Sequence, residues 1–283
     1  MSTDNRQPPA PGQRGDIAGL RRSVLDIARR AGDVIMDIYS ADDFDIQTKG
    51  DDSPLTRADL AANQLICDRL RALTPDIPIL SEESAQVPYP DRRPWQRLWL
   101  VDPLDGTKEF IKRNGEFTVN IALIDGGQPV LGVVHAPALA VSYSAAPPDG
   151  AIRHDSAGER PLRVAAPVGD ALRVVVSRSH AGASTERLLD RLGDRHTVTC
   201  VPRGSSLKIC MVADGEADFY PRLGPTMEWD TGAAQAVIEA AGGVVLALPE
   251  RTPLRYNKED LRNPHFAVAP SAEASFIGAI EEL

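Results

Sequence analysis

This 283-residue sequence has few cysteines and few aromatic residues, no excess of positive charge and no long apolar run. Its three cysteines (Cys67, Cys200 and Cys210) form no Cys-x-x-Cys pair, which predicts reduced, buried thiols instead of a disulfide framework or a zinc site. Aromatic residues make up only 5%, and 40 acidic residues outnumber 31 Lys and Arg, so the net charge is −9. This balance argues against a nucleic-acid polymer as the partner.

Membrane and secretion signals are also missing from the sequence. No apolar run reaches the length that a membrane-spanning helix needs, and residues 1–15 lack the apolar segment of a secretory signal. We therefore expect a cytoplasmic protein without a transmembrane segment, preceded by a disordered tail over residues 1–15. The sequence does not indicate an oligomeric state.

Hydrophobic periodicity predicts helices first, then strands, and then an alternation of the two. The first part has predicted helices at 16–40 and 56–74, strands at 77–80, 98–101, 117–124, 130–135 and 141–145, and a loop at 147–159. The second part has predicted strands at 172–176, 197–201, 217–220 and, last, 244–248, with helices at 184–192, 206–213 and 230–241. This order predicts a layered α/β or α+β protein with two sub-domains, 16–170 and 171–283.

Acidic residues stand where these predicted elements end or begin. Glu82 follows one strand, Asp102 and Asp105 follow the next on a predicted tight turn, and Asp230 opens a helix. Each alone is ordinary, because a Glu-Glu pair is usually solvated, Asp-Pro-x-Asp-Gly is common turn chemistry and Trp-Asp is a common helix cap. Together with the Leu104 carbonyl, however, these residues offer a set of oxygen ligands that suits magnesium. No His or Cys lies in these segments, which argues against zinc.

An anion-binding turn follows the two aspartates directly. Gly106 lets a ligand approach the backbone, and a short helix predicted at 108–111 offers free N–H groups at its start. Thr107 places a hydroxyl there, and Asp59 is a candidate partner that orients it. Carboxylates, a cation and an anion site together predict metal-assisted phosphate hydrolysis.

Four segments of the sequence resemble one known family. They are LSEE at 80–83, DPLDGTKEFIKRNGEFTVN at 102–120, GSSLK at 204–208 and WD at 229–230. They are similar to the inositol monophosphatase superfamily of lithium-sensitive, magnesium-dependent phosphatases, and within it to the CysQ-type 3′(2′),5′-bisphosphate nucleotidases. The similarity runs from about residue 20 to about residue 270.

The resemblance implies an α+β fold built as a layered αβαβα sandwich, and it assigns roles to individual residues. Two or three Mg²⁺ ions would be held by Glu82, Asp102, the Leu104 carbonyl, Asp105 and Asp230. Water would be activated by Asp59 and Thr107. The nucleotide substrate would be contacted by Gly106, Thr107, His180, Ser205, Lys208 and Arg222.

The activity implied is hydrolysis of 3′-phosphoadenosine 5′-phosphate to AMP and phosphate, in support of sulfate assimilation. The related 5′-phosphosulfate is a second implied substrate, and some bacterial relatives lie at the inner membrane. One alternative is the same chemistry on inositol 1-phosphate or fructose 1,6-bisphosphate. A second alternative is a nucleotide or metal sensor without turnover.

Overall fold

A computed structural model describes residues 17–40, 47–48, 54–84, 87–178 and 182–281. The expected tail at 1–15 and the predicted nucleotide contact His180 lie outside the described residues. The α-helices are α1 (Ile17–Tyr39), α2 (Arg57–Leu73), α3 (Tyr89–Arg92), α4 (Thr107–Ile111), α5 (Ala183–Gly193), α6 (Leu207–Ala213), α7 (Glu228–Ala240) and α8 (Gly278–Glu281). The strands are β1 (Gln47–Thr48), β2 (Pro54–Leu55), β3 (Ile79–Ser81), β4 (Arg97–Asp105), β5 (Thr118–Asp125), β6 (Gln128–Ala136), β7 (Val141–Ala146), β8 (Gly150–Asp155), β9 (Gly158–Pro161), β10 (Ala171–Ser177), β11 (Thr197–Arg203), β12 (Tyr220–Arg222), β13 (Val244–Ala247), β14 (Thr252–Pro253) and β15 (Phe266–Ala269).

The larger sheet has seven strands in the order β3-β4-β5-β6-β7-β8-β9. Strands β3 and β4 run parallel, and the remaining neighbours are antiparallel. Successive side chains of a strand point to opposite faces. Accordingly, Trp99 and Val101 pack with α1 and α2, whereas Leu98 and Leu100 pack with α6 and α7. Helices therefore cover both faces of this sheet, which explains why β4 is apolar along most of its length.

A second layer of strands lies beyond α6 and α7. It contains the parallel pair β10-β11 and the four-stranded sheet β12-β15-β13-β14, which a short parallel bridge between Val174 and Phe219 connects. Val245 packs towards α7, whereas the next residue, Leu246, packs towards α5 and α8. The layers thus run helix, sheet, helix, sheet, helix, which confirms the α+β sandwich. The division into two sub-domains at residue 170 stays a prediction.

Three expectations about strands are wrong. The segment predicted as a loop at 147–159 contains β8 and the start of β9. Hydrophobic periodicity does not reveal β9, because it is an exposed edge strand of charged and turn-forming residues. The strand at 244–248 is not the last one, since the short β15 inserts between β12 and β13. The strand predicted at 217–220 is displaced, and β12 begins at Tyr220.

The cysteines and the membrane prediction can also be compared with the structure. All three cysteines are free; Cys67 and Cys210 are buried, but the expectation of a buried thiol is wrong for Cys200, which lies exposed on β11. In the part of the chain that the structure describes, no helix combines the length and the apolar character that crossing a bilayer demands.

Candidate active site

The parallel pairing of β3 and β4 brings the first two acidic segments to one sheet edge. Ser81 at the end of β3 pairs with Val101, so the residues that follow each of them, Glu82 and Asp102, lie side by side. The carboxyl ends of parallel strands are a common place for ligand sites because the chain leaves the sheet there. The sequence order strand-then-acid therefore produces a shared acidic edge.

An irregularity in β4 brings Asp105 to the same place. Asp102 pairs with Asn120 and Asp105 pairs with Thr118, so β4 uses three steps where β5 uses two. One extra residue in a strand is a bulge, which redirects the side chains around it. The predicted tight turn is therefore wrong in form: the strand continues to Asp105, and a bulge turns both carboxylates towards one point.

Three carboxylates meet at this point. Asp102, Asp105 and Asp230 each offer an oxygen that lies within 4.8 Å of the others. Burial raises the pKa of Asp102, which is only 1% exposed, well above its ordinary value, and the negative charges of Glu82 and Asp105 add to the effect. Burial followed by the charge of Asp105 likewise raises the pKa of Asp230. These converging carboxylates form an oxygen-only donor set, which fits a hard divalent cation.

Hydrogen bonds hold Asp102 and Asp230 in fixed orientations. Asp102 Oδ1 accepts the Leu104 N–H at 3.0 Å. Asp230 lies in the first turn of α7, which begins at Glu228, two residues earlier than predicted, and its Oδ2 accepts the Met227 N–H at 2.9 Å. The latter contact is a helix-capping interaction, so the same carboxylate that faces the cluster also fixes the start of α7.

Ser206 holds the third carboxylate. Its N–H donates to Asp105 Oδ2 at 2.6 Å, and its hydroxyl lies 2.8 Å from the same oxygen and 2.6 Å from the Asp230 carbonyl. Asn120 donates to that hydroxyl at 2.8 Å. Ser206 and Asn120 lie inside the segments noticed in the sequence, yet nothing in the sequence indicates that they join the two acidic segments.

Thr107 and Asp59 lie next to this cluster. The Thr107 hydroxyl is 3.3 Å from Asp59 Oδ1 and 3.4 Å from the Leu104 carbonyl oxygen. Asp59 Oδ2 accepts both the N–H and the hydroxyl of Thr56, which forms a capping box at the start of α2. Because Gly106, and not Thr107, is the N-cap of α4, the Thr107 hydroxyl does not cap this helix.

Gly106 makes room for the approach of a second segment. Its φ of +92° is unfavourable for other residues, and an added Cβ would lie 3.1 Å from the Glu116 carbonyl oxygen and 3.4 Å from Ser205 Cβ. The turn after Asp105 and the segment that carries Ser205 are thus in contact across the site.

One wall of the site, formed by Lys208 and Arg222, is cationic. A cleft of about 580 Å³ runs from Glu82, Asp105 and Asp230 past Thr107 to Ser205, Lys208 and Arg222. Burial lowers the pKa of Lys208 to about 8, although the charge of Asp105 opposes the shift, and the neighbouring Arg222 lowers it further. Two neighbouring cations in the lining of one cleft indicate an anion site, and Lys208 lies close enough to the acidic cluster for the charge of Asp105 to act on it.

Comparison with known proteins shows the family of this chain. The family model described as the inositol monophosphatase family matches residues 20–283. The chain belongs to the inositol monophosphatase family. It is 52% identical over 250 residues to the 3′(2′),5′-bisphosphate nucleotidase CysQ of Escherichia coli O157:H7, which covers 87% of this chain and 98% of that protein.

Solved structures of the inositol monophosphatase family have the same fold. The crystal structure of CysQ from Bacteroides thetaiotaomicron has a TM-score of 0.80 and 42% identity, over 89% of this chain and 97% of that chain. An IMPase from Thermotoga maritima has a TM-score of 0.76 at 23% identity, over 94% of this chain and 97% of that chain. At this low identity, the similarity to the Thermotoga maritima protein shows the shared fold alone.

Proposed function

We propose that this protein is a magnesium-dependent phosphatase that hydrolyses 3′-phosphoadenosine 5′-phosphate to AMP and inorganic phosphate. The observation that carries the proposal is the pairing, in one cleft, of an acidic cluster with Lys208 and Arg222. The 52% identity to a protein named as a 3′(2′),5′-bisphosphate nucleotidase supports the same substrate class. The 5′-phosphosulfate analogue carries an anion in the same position and is a second proposed substrate.

The acidic end of the cleft would hold two or three Mg²⁺ ions. The proposed ligands are Glu82, Asp102, the Leu104 carbonyl, Asp105 and Asp230. Magnesium, when bound by these oxygens, supplies Lewis-acid activation of the phosphoryl group and of the attacking water. Asp102 is the most deeply buried of these carboxylates, and the Leu104 N–H sets its orientation.

Thr107 and Asp59 would position the water and accept its proton. The Thr107 hydroxyl accepts from the water while it donates to Asp59 Oδ1, 3.3 Å away. Thr56 occupies Oδ2, which leaves Oδ1 facing Thr107. Overall, water adds its oxygen to phosphorus and passes its proton through Thr107 and Asp59 to solvent. The bond from phosphorus to the 3′ oxygen breaks, and that oxygen takes up a proton from solvent water and leaves as the ribose 3′-hydroxyl.

The cationic end of the cleft would bind the 5′ phosphate, which is not cleaved. Lys208 Nζ already donates to the Ser205 carbonyl at 2.6 Å and retains further donors for a ligand. Arg222 donates to the Pro225 carbonyl at 2.8 Å, which fixes its guanidinium at the rim. Gly106, Thr107 and Ser205 complete the lining between the two ends. A substrate with two phosphates therefore engages more of this cleft than a monophosphate does.

A substrate panel at a fixed magnesium concentration tests the proposal. The panel contains 3′-phosphoadenosine 5′-phosphate, adenosine 3′-phosphate, inositol 1-phosphate and fructose 1,6-bisphosphate, with phosphate release as the readout. We expect the highest kcat/KM for the adenosine bisphosphate and no turnover in excess chelator. A higher kcat/KM for inositol 1-phosphate or fructose 1,6-bisphosphate would assign the chain to that substrate instead. Nucleotide binding by calorimetry without turnover of any compound would identify a sensor.

A further inference from the structure

Glu116 is a buried carboxylate outside the cluster of proposed metal ligands. It lies between α4 and β5 and is 5% exposed. Arg178 donates to it twice, from Nε at 2.9 Å and from Nη2 at 2.8 Å. Arg203 donates from Nη1 at 3.2 Å, and the Gly204 N–H donates at 2.8 Å. These donors come from the ends of β10 and β11, so one carboxylate joins the two sheet layers beside the cleft.

The hydrogen bonds keep Glu116 ionised. Burial on its own would raise the pKa of this carboxyl, but the hydrogen bonds from Arg178 and from the Gly204 N–H outweigh it, and the pKa lies below the ordinary value. A charge-assisted bidentate contact is both strong and directional. The carboxylate is therefore a fixed anchor at neutral pH.

The backbone of Glu116 is also wedged between the two segments that line the cleft. A Cβ added to Gly204 would lie 2.8 Å from the Glu116 carbonyl oxygen, and one added to Gly106 would lie 3.1 Å from the same atom. Distances this short leave no space for a side chain at Gly204. The turn after Asp105 and the start of the Ser205 segment are thus both placed relative to Glu116.

The segment that Glu116 anchors leads directly into the site. Ser205 has a φ of +49°, in the left-handed region that a residue with a side chain occupies only when its surroundings enforce it. Ser206 follows and donates to Asp105, and Lys208 donates back to the Ser205 carbonyl. Release of the Gly204 N–H would let Ser205 relax and would move Lys208, which depends on that carbonyl for its position.

We propose that Glu116 is a positioning residue that fixes Gly204 and Ser205, and through them Lys208, for the phosphate that is not cleaved. The inference rests on the proposed function, which gives Lys208 to that phosphate. Glu116 is absent from the described residues that line the cleft, so it acts through its neighbours and touches no substrate. The affinity for a bisphosphate therefore depends on it more than the chemical step does.

Asp218 provides a matched control. It is 2% exposed, and Arg173 donates to it from Nε at 3.0 Å, from Nη2 at 2.7 Å and from the backbone N–H at 2.7 Å. This carboxylate has the same kind of bidentate arginine and backbone partner, and it too is absent from the described lining of the cleft. Asp218→Asn thus removes a comparable structural contact without the link to Ser205.

The experiment measures kcat and KM for 3′-phosphoadenosine 5′-phosphate and for adenosine 3′-phosphate in the wild type, Glu116→Gln and Asp218→Asn. We expect Glu116→Gln to raise KM for the bisphosphate by about tenfold, with kcat and the monophosphate KM changed far less. Asp218→Asn should leave the ratio of the two KM values unchanged. If thermal melting shows Glu116→Gln to be unfolded, Arg178→Lys replaces it, with a smaller rise in the same ratio expected.

The outcomes separate this inference from the proposed function. A wild type with the same KM for 3′-phosphoadenosine 5′-phosphate and for adenosine 3′-phosphate would overturn both the proposed function and the role of Glu116. A wild type that discriminates, together with a folded Glu116→Gln or Arg178→Lys that keeps the wild-type ratio, would overturn the role of Glu116 alone. An equal change of the ratio in Asp218→Asn would also overturn it, since the effect would then be one of general stability.

Discussion

Removing the Thr107 hydroxyl tests the proposed route for the water's proton. Thr107→Ala deletes the hydroxyl that lies 3.3 Å from Asp59 Oδ1 and 3.4 Å from the Leu104 carbonyl oxygen. Positioned proton transfer contributes about 10²–10⁴-fold to a rate. This factor corresponds to about 3–5 kcal/mol of activation free energy. We therefore expect kcat to fall by roughly 10²–10⁴-fold, while magnesium affinity changes little.

Protein stability should respond differently from kcat. Since Gly106 is the N-cap of α4, Thr107→Ala removes no cap, and its effect on the melting temperature should be small. Asp59→Asn, in contrast, weakens the capping box with Thr56, and the loss of a cap costs about 0.5–2 kcal/mol. Thr56→Ala weakens the same capping box but keeps the Asp59 carboxylate. It should therefore reproduce the stability loss of Asp59→Asn with far less loss of kcat.

The assay combines kcat for Thr107→Ala, Asp59→Asn and the double variant with magnesium affinity by calorimetry. Residues that act as a unit are not additive, so the double variant should be no slower than the slower single variant. Additive losses in kcat, or a collapse of magnesium binding in Thr107→Ala, would refute the idea that the two residues form one water-activating pair.

Four further predictions concern the metal, lithium and the cationic wall. Asp105→Asn keeps the side chain's shape but removes one negative charge. We therefore expect magnesium affinity, measured by calorimetry, to drop and activity to fall by several orders of magnitude, while the melting profile stays unchanged. Near-normal activity would contradict the metal site. LiCl should inhibit more than KCl at matched ionic strength, because Li⁺ is a small, hard cation that an oxygen site for magnesium can accept, and equal inhibition by the two salts would contradict this prediction. Lys208→Ala should weaken binding of the adenosine bisphosphate by about 10–100-fold, from a charge-assisted contact, but that of adenosine 3′-phosphate far less; equal losses would make Lys208 structural. Because burial lowers the pKa of Lys208 to about 8 and only its protonated form attracts a phosphate, kcat/KM for the bisphosphate should fall as pH rises through about 8. Lys208→Arg should move that decline to higher pH, and an unshifted decline would show that another group titrates.

The acidic residues could be found from the sequence because their signal is local. Glu82 directly follows an apolar strand, Asp105 ends another, and both lie within short motifs, while the capping box of Asp59 is a spacing of three residues. Local periodicity and the order of the elements predict a layered α/β or α+β protein, whereas the αβαβα order of the layers comes from the resemblance to the family. The sequence predicts a tight turn where the structure has the bulge between Asp102 and Asp105, because Pro and Gly are common in both.

The remaining features depend on distant contacts. Glu116 resembles any loop glutamate in the sequence, and its arginine partners lie 62 and 87 residues away. Ser206 likewise acquires its role only when the fold brings Asp105 and the start of α7 beside it. Strand β15 has only four residues, so its place in the centre of the second sheet layer cannot be predicted from its own pattern.

The orientation of the substrate is the central claim of this account. A crystal structure of the wild-type protein with 3′-phosphoadenosine 5′-phosphate, with Ca²⁺ in place of Mg²⁺ to slow turnover, measures that orientation directly. We predict the 3′ phosphate, bridged by the cations, at Asp105 and Asp230, and the 5′ phosphate at Lys208 and Arg222. A nucleotide with its 5′ phosphate at the acidic cluster, or bound outside this cleft, would contradict the account.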